Sequence, residues 1–331
     1  MDTRPLGATG FDATEVGLGT WNMSPRYWTD VAEPDCKRAL RTALDAGINL
    51  LDTAEIYGGG RSERIVGEVL AAREGGDRVF VATKAQPEAD GGFSADGLAA
   101  SVDGSRERLG VDSLDLCQLH SPATETFYEP SVFEWLERLR DEGAIRHAGV
   151  SVETVEEGLK AIEYPVVETV QIMFNPFRLR PAELFFREAK RRNVGVIARV
   201  PMASGLLAGT IESAADFDEG DHRRTVATEG VAAGVGPKGG ETFAGVPFEA
   251  GVAAVENLRD HVPAGATMAQ FTLRWILDHE AVSTVIPGST TPAHIEENVA
   301  AADLPPLSHQ AHGAVRDVYE TQIAEHVHHR W

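Results

Sequence analysis

Short apolar runs rich in β-forming residues alternate with segments of helical periodicity along most of this chain, and that rhythm leaves few folds open to it. The runs fall near Val16 to Thr20 and over 48–52, 79–83, 114–119, 146–150, 168–173, 194–199 and 283–286. Helical patterns occupy 35–46, 62–73, 95–109, 131–142, 153–162 and 181–192, and again 249–261, 266–279, 292–302 and 308–327. Strands joined through a helix run in the same direction, so repeated units of this kind imply a parallel sheet covered by helices. Two stretches break the rhythm. Residues 3–16 carry turn signals, LGATG and FDA, between short alternating runs, which predicts a hairpin ahead of the first strand. Residues 208–248 are rich in Gly, Asp, Glu and Ala and too long for a structureless connection inside a compact domain, so they are expected to form a functional lid or a mobile surface insert.

Four ionisable residues stand at the ends of these runs. Asp52 closes INLLD, Tyr57 lies in the loop just after it, Lys84 closes VFVATK and His120 closes LDLCQLH. In a parallel barrel the C-terminal strand ends converge on one face, which would bring the four around one reacting atom. Singly, each has a plain structural reading: an Asp before a helix caps it, a strand-end lysine is solvated, a core histidine is satisfied by its neighbours. Jointly they make chemical sense. A phenol with a reference pKa near 10 is a poor acid at neutral pH, and a neighbouring ammonium lowers that value. Lys84 would supply the charge, Asp52 would hold Lys84, and His120 would position a carbonyl oxygen. A downward shift of roughly two to three units needs about 3 to 4 kcal/mol of differential stabilisation. Ser62 is assigned the cap of the helix that follows DTAEIYGGGRSE.

With these residues in place, the chain resembles the aldo-keto reductase family. The matching segments are GLGTW at 17–21, LDTAEIYGGGRSE at 51–63, VATK at 81–84, DSLDLCQLH at 112–120, GVS at 149–151, QIMFNPF at 171–177, VPMASGLLAG at 200–209 and IPGSTTPAHIEEN at 286–298. The resemblance implies a (β/α)8 TIM barrel over residues 1–331 as one domain, with an N-terminal hairpin and extra C-terminal helices. It implies an oxidoreductase that reduces an aldehyde or ketone, including a sugar, or runs the reverse reaction. Hydride would come from a nicotinamide cofactor, Asp52, Tyr57, Lys84 and His120 would be catalytic, and Tyr57 would be the general acid/base. The alternative on the same fold is a cofactor-binding regulatory subunit. A barrel of unrelated chemistry would want a phosphate cup or a His/Asp ligand cluster, and no metal site is expected.

The resemblance also implies cofactor contacts. Gly19, Thr20 and Trp21 follow the first strand, and Asp52, Ser151 and Gln171 approach the nicotinamide, with Val152 standing where the family has Asn. Arg199 stands where an aromatic residue usually stacks on the ring. A guanidinium can also stack, and its charge would disfavour the oxidised ring, so reduced cofactor is expected to bind more tightly; alternatively Arg199 turns away to pair with a carboxylate. The diphosphate is expected against the backbone NH groups of Ala203 to Gly209, Gly205 and Leu206 included, and against the loop before the helix at 292, with Pro201 a further cofactor contact. At the adenosine end, Gly288, Ser289 and His294 replace a Lys-Ser pair and a later Arg, while Glu297 and Asn298 are retained. NADP(H) is favoured, with NAD(H) open. Trp21, Tyr27, Trp28, Phe127 and Tyr128 are candidate pocket walls. Asp218, Glu219, Asp221 and His222 read as a solvated acidic loop, and His326, His328 and His329 as exposed helix-end residues.

Composition narrows the setting. The 331 residues are 43% hydrophobic and carry a formal net charge of -21, with Lys37, Lys84, Lys160, Lys190 and Lys238 the only lysines among 30 basic residues. So acidic a chain argues against nucleic-acid binding, which wants a basic patch. No run approaches the length of a membrane helix and MDTRPLGATG lacks an apolar signal region, so a soluble, cytoplasmic protein is expected. Its partners would be small molecules, with the chain a monomer or small homo-oligomer. Cys36 and Cys117, without CxxC spacing, read as reduced core thiols. An acidic, lysine-poor surface repels itself, and at 1 M salt a Debye length of about 3 Å screens that repulsion, which suits a high-salt cytoplasm. Thermal unfolding and activity followed across a KCl series test this: both are expected to rise toward molar salt, and an optimum in dilute buffer would mark an ordinary acidic enzyme.

Overall fold

Eight parallel strands close into a cylinder in the computed structural model, which describes residues 1–25, 31–236 and 239–331. A hairpin, β1 (Thr3–Pro5) and β2 (Asp12–Thr14), precedes β3 (Leu18–Gly19), α1 (Glu33–Asp45), β4 (Leu50–Asp52), α2 (Arg61–Ala71), β5 (Phe80–Ala85) and α3 (Ala95–Leu109). There follow β6 (Leu114–His120), α4 (Pro130–Asp141), β7 (Ile145–Val152), α5 (Val155–Ala161), β8 (Val167–Met173), α6 (Phe185–Arg191) and β9 (Gly195–Arg199). The remainder holds α7 (His222–Glu229), α8 (Phe248–Leu258), α9 (Met268–Leu277), β10 (Val282–Val285), α10 (Pro292–Ala300), α11 (His309–Val318) and α12 (Ala324–Val327). Strands β3 to β10 pair in sequence order. The ring is closed where the Gly17 and Gly19 amides donate to Val285 and Pro287 carbonyls at 2.8 and 3.1 Å. Gly19 is needed there, because a Cβ would meet the Ile286 carbonyl oxygen at 2.9 Å and force the seam apart.

Strand alternation divides the apolar residues into two groups. Leu50, Phe80, Ala82, Leu116, Ile197 and Ile286 form a cluster separate from the larger one containing Leu51, Val81, Cys117, Val150, Val170 and Val196. The first fills the cylinder, and the second lies between strands and helices. The hairpin contributes Leu6 and Ala13 to the interior group, and Phe11 stacks on Phe80 at 4.5 Å, plugging one end. Arg4 locks that plug, pairing with Glu15 at 2.5 Å and donating to the carbonyls of Leu277 and Val282 at 2.7 and 2.9 Å.

Where the elements depart from the sequence reading, local chemistry explains it. Helix α5 starts at Val155 because Thr154 and Glu157 form a reciprocal capping box. Pro181 sits in a 3₁₀ turn (Arg180–Ala182), so α6 begins only at Phe185. The long terminal helix is divided by a π turn at Tyr319–Ile323. Residues 208–248 hold α7, capped by Asp221, and 3₁₀ turns at Ala214–Asp216, Val231–Ala233 and Thr242–Gly245. The segment has its own aromatic core, with Phe217, Phe243 and Phe248 rings 5.3 to 6.0 Å apart. Cys36 and Cys117 are buried free thiols, and burial pushes Cys117 up to about 12. Among the described residues no helix is long and apolar enough to cross a membrane.

Candidate active site

The same alternation that sends Leu50, Ala82 and Leu116 inward sends Asp52, Lys84 and His120 to the inner face of the barrel's C-terminal mouth. Tyr57 reaches them from the loop after β4, where Gly58, Gly59 and Gly60 take left-handed φ of 65, 62 and 88° and turn the chain into α2. Lys84 is completely buried, and its Nζ donates to Asp52 Oδ1 at 2.6 Å, to the Thr53 carbonyl at 2.9 Å and to the Tyr57 hydroxyl at 3.4 Å. The other Asp52 oxygen accepts from Gln171 Nε2 at 2.7 Å. His120 stands edge-on to Tyr57, ring centroids 5.9 Å apart, and its buried Nδ1 has no partner. The four side chains thus converge, with the phenol and the imidazole facing open space together.

Their electrostatics differ from the sequence expectation in one respect. Part of the Tyr57 ring is open to the cleft, yet burial of its surroundings, reinforced by the carboxylates of Asp52 and Glu241, pushes the phenol well above its ordinary value. Burial is the largest of these effects, and the Lys84 ammonium is paired with Asp52 at 2.6 Å while it stands 3.4 Å from the phenol oxygen. Burial also draws Lys84 below its ordinary value, against the pull of Asp52. His120 falls well below its usual range through burial and the nearby charges of Lys84 and Arg199, so its imidazole is neutral. At neutral pH the phenol therefore holds its proton and the imidazole is uncharged.

Ser62 does not cap α2; Gly60 occupies that position without a side-chain bond. The buried Ser62 hydroxyl instead accepts from Thr53 Oγ1 at 2.9 Å and donates to Thr20 Oγ1 at 2.6 Å, and Thr20 donates onward to the Asp52 carbonyl at 2.9 Å. This chain of hydroxyls stitches α2 and β3 to the strand that carries Asp52. It also takes Thr20 out of contact with the cleft.

That cleft has a volume of about 780 Å³ and runs from Asp52, Tyr57 and His120 to the 287–298 segment. Gly19, Trp21, Ser151, Gln171, Arg199, Pro201 and Gly205 line one reach of it, and Gly288, Ser289, His294, Glu297 and Asn298 the other. Ala203, Leu206 and Gly209, like Thr20, do not line it. Ser204 and Gly205 take φ of 56 and 102°, a turn that aims them at the cleft while Ala203 and Leu206 are buried. Phe127 is fully buried and Tyr128 lies exposed beside Lys160, so neither forms a pocket wall, and Tyr27 and Trp28 fall outside the described residues. Asp221 pairs with Arg223 at 2.5 Å, and among the described residues no group of three His, Cys, Asp or Glu is placed to hold a metal.

Arg199 has carboxylates on two sides. Its Nη2 donates to Glu153 Oε1 at 2.9 Å and to the Val152 carbonyl at 3.1 Å, and its Nη1 pairs with Glu241. Burial opposes its charge, but the two carboxylates together hold it above the ordinary guanidinium value. An isolated cation facing the ring, the premise for weaker binding of oxidised cofactor, is not what the fold presents. Ser204, within the expected Ala203 to Gly209 stretch, lines the cleft; Glu153, Glu241, Asn22, Gln86, Ser121 and Arg223 also line it and were not singled out from sequence. Asn22 and Glu153 adjoin residues that were. With its amide oxygen toward the 287–291 loop, Asn22 accepts from the backbone nitrogens of Ser289 and Thr290 at 3.1 and 3.2 Å. Arg223 and Glu241 come from the non-periodic segment, which carries no signal of which residues face inward.

Comparison with known proteins agrees with this architecture. The profile of the aldo/keto reductase family matches residues 15–320. An aldo-keto reductase of Bacillus subtilis (strain 168) is 29% identical over 89% of this chain and 87% of its own. An NADP(+) aldo-keto reductase of Schizosaccharomyces pombe is 27% identical over 91% and 86%. Among solved structures, the glycerol dehydrogenase of Gluconobacter oxydans superposes with a TM-score of 0.75 at 28% identity, covering 98% of this chain and 96% of that one.

Proposed function

We infer that this chain, which belongs to the aldo/keto reductase family, transfers hydride between a nicotinamide cofactor and a small carbonyl compound or the corresponding alcohol, with Tyr57 as the proton donor and acceptor. The observation that carries the reading is the convergence of Lys84, Asp52, Tyr57 and His120 at one end of a cleft large enough for a dinucleotide. The cofactor supplies the hydride when bound. Unpartnered buried atoms in the same cleft, His120 Nδ1 and Arg199 Nε among them, are what a polar ligand would satisfy. Tyr57 donates its proton to the carbonyl oxygen as negative charge develops there, and takes it back in the alcohol direction. Neutral His120 orients the oxygen without competing for the proton. Lys84, held by Asp52, stabilises the phenolate that results. Ser151 and Gln171, adjacent in the β7–β8 register, would hold the carboxamide, and Gln171 in turn braces Asp52.

For the adenosine end, NADP(H) is the favoured cofactor, as the name of the fission-yeast relative indicates for that protein. The 287–298 segment has no lysine or arginine, and the Ser289 hydroxyl is engaged with Thr291 of its own loop. Arg199 and Arg223 are the arginines among the described cleft-lining residues. Recognition of a 2′-phosphate is therefore expected to be modest. The ratio of kcat/KM with NADPH to that with NADH should favour NADPH by about tenfold, the worth of one charge-assisted hydrogen bond. A ratio below one would assign the enzyme to NAD instead.

A further inference from the structure

We propose that Trp331 is a positioning residue for the hydride end of the cleft: stacked on Arg178, it holds the 240–245 turn in place, and that turn delivers Glu241 to Arg199. The inference rests on the cofactor placement proposed above. Trp331 does not itself line the cleft. Its ring centre lies 4.5 Å from the Arg178 guanidinium and the residue is only 5% exposed, a desolvated geometry in which a cation and an aromatic face attract most strongly. Arg178 is buried and also outside the cleft; its Nε and Nη2 donate to the carbonyls of Ala244 and Gly240 at 2.8 and 3.3 Å. These two carbonyls bracket Glu241 along the chain, and Glu241 lines the cleft and pairs with Arg199. Contacts therefore lead from Trp331 through Arg178 and the turn to the reacting end.

The turn needs such a support. Phe243 and Ala244 take φ of 52 and 57°, left-handed conformations that cost free energy for any residue with a side chain, so the surroundings must hold them there. Ser204 Oγ donates to the Glu241 carbonyl at 3.4 Å and accepts from the Phe243 amide at 3.3 Å. The bond from Arg178 to Ala244 is shorter than either and acts on a strained residue. Gly245 lets the ring approach, because a Cβ there would stand 3.3 Å from Trp331 Nε1 and 3.5 Å from Arg178 Nη2. The Trp331 carbonyl accepts from Arg180 Nη1 at 2.6 Å, and Arg330 flanks the same ring at 5.0 Å, so the indole is fixed on the strand side and on its own. Arg178 is attracted by Glu153 and Glu241 and repelled by Arg199; an aromatic face steadies it without altering the charge of that group.

The test is stopped-flow release of NADPH from the full-length protein and the variants Trp331→Ala, Trp331→Leu, Trp331→Phe, Glu241→Gln and Trp331→Ala/Glu241→Gln, well below the unfolding temperature of each. Trp331→Ala is expected to speed release about tenfold, the worth of a desolvated stacking contact. Trp331→Phe keeps an aromatic face and should restore most of the slow release, whereas Trp331→Leu keeps apolar cover alone and should behave like the alanine variant. The double variant should release no faster than the faster of its two parents, because the tryptophan acts through the turn that carries Glu241. A merely structural role would lower the unfolding temperature and leave release unchanged. Unchanged release in the alanine variant, full recovery by leucine, or additive effects in the double variant overturns the proposal while leaving the cofactor reading standing. Should the alanine variant fail to fold, the contrast between leucine and phenylalanine decides alone. Failure of the unaltered protein to bind NADPH or NADH overturns both readings.

Discussion

Replacing Tyr57 by phenylalanine is expected to lower kcat for carbonyl reduction by a factor on the order of 10² to 10⁴ while leaving NADPH binding nearly unchanged. The substitution removes one oxygen and keeps the ring beside His120 and above the Lys84 ammonium, 5.1 Å from the ring centre. Stopped-flow turnover with a panel of aldehydes, alongside fluorescence titration of NADPH, separates the two effects, and near-full turnover would remove Tyr57 from the chemistry. The raised phenol value gives the reaction its pH behaviour. Below that value Tyr57 is protonated and competent as an acid, so reduction should be flat through neutral pH and decline only in strongly alkaline solution. Alcohol oxidation needs the phenolate, so its kcat should climb with pH over the range where reduction is still flat. An imidazole held neutral adds no break between pH 6 and 8, roughly where an unperturbed histidine titrates.

Lys84→Met is expected to damage both fold and function. It leaves the Asp52 carboxylate buried with Gln171 as its remaining side-chain partner, and breaking a buried ion pair from one side costs about 3 to 5 kcal/mol. Urea denaturation should show that loss, and turnover should fall with it because the phenolate has lost its neighbouring cation. The double variant Asp52→Asn/Lys84→Met removes the stranded charge, so it should recover most of the stability and none of the turnover. If stability did not return in the double variant, the cost would lie in packing of the lysine stem and not in the charge of Asp52.

These outcomes bear on how the site is legible. Asp52, Lys84 and His120 can be placed from sequence because a strand has a period of two: each lies an even number of residues beyond an apolar residue that must point into the barrel. The cleft-lining stretch at 287–298 is legible for a related reason, since its loop runs directly from the last strand into a helix. Ser62 was misread because a serine near a helix start looks the same whether it caps that helix or faces a neighbouring strand. The direction of the Tyr57 shift differs from the sequence expectation because burial, reinforced by Asp52 and Glu241, governs it, and neither burial nor the approach of Glu241 is visible until the chain has folded.

What the chain's own pattern determined is the order of its strands and helices, the parallel sheet, and the inward direction of three of the four converging side chains, since alternation and helical period are properties of neighbouring residues; closure of that sheet into a barrel came from the family resemblance. What only the tertiary structure decided is the company those groups keep. Arg199 and Glu241 lie 42 residues apart, joined across a segment with no periodic pattern, and the hydroxyl chain from Thr53 through Ser62 to Thr20 crosses three elements. A charge or hydroxyl has its effect through distance and dielectric, and neither is set until the chain has closed around it.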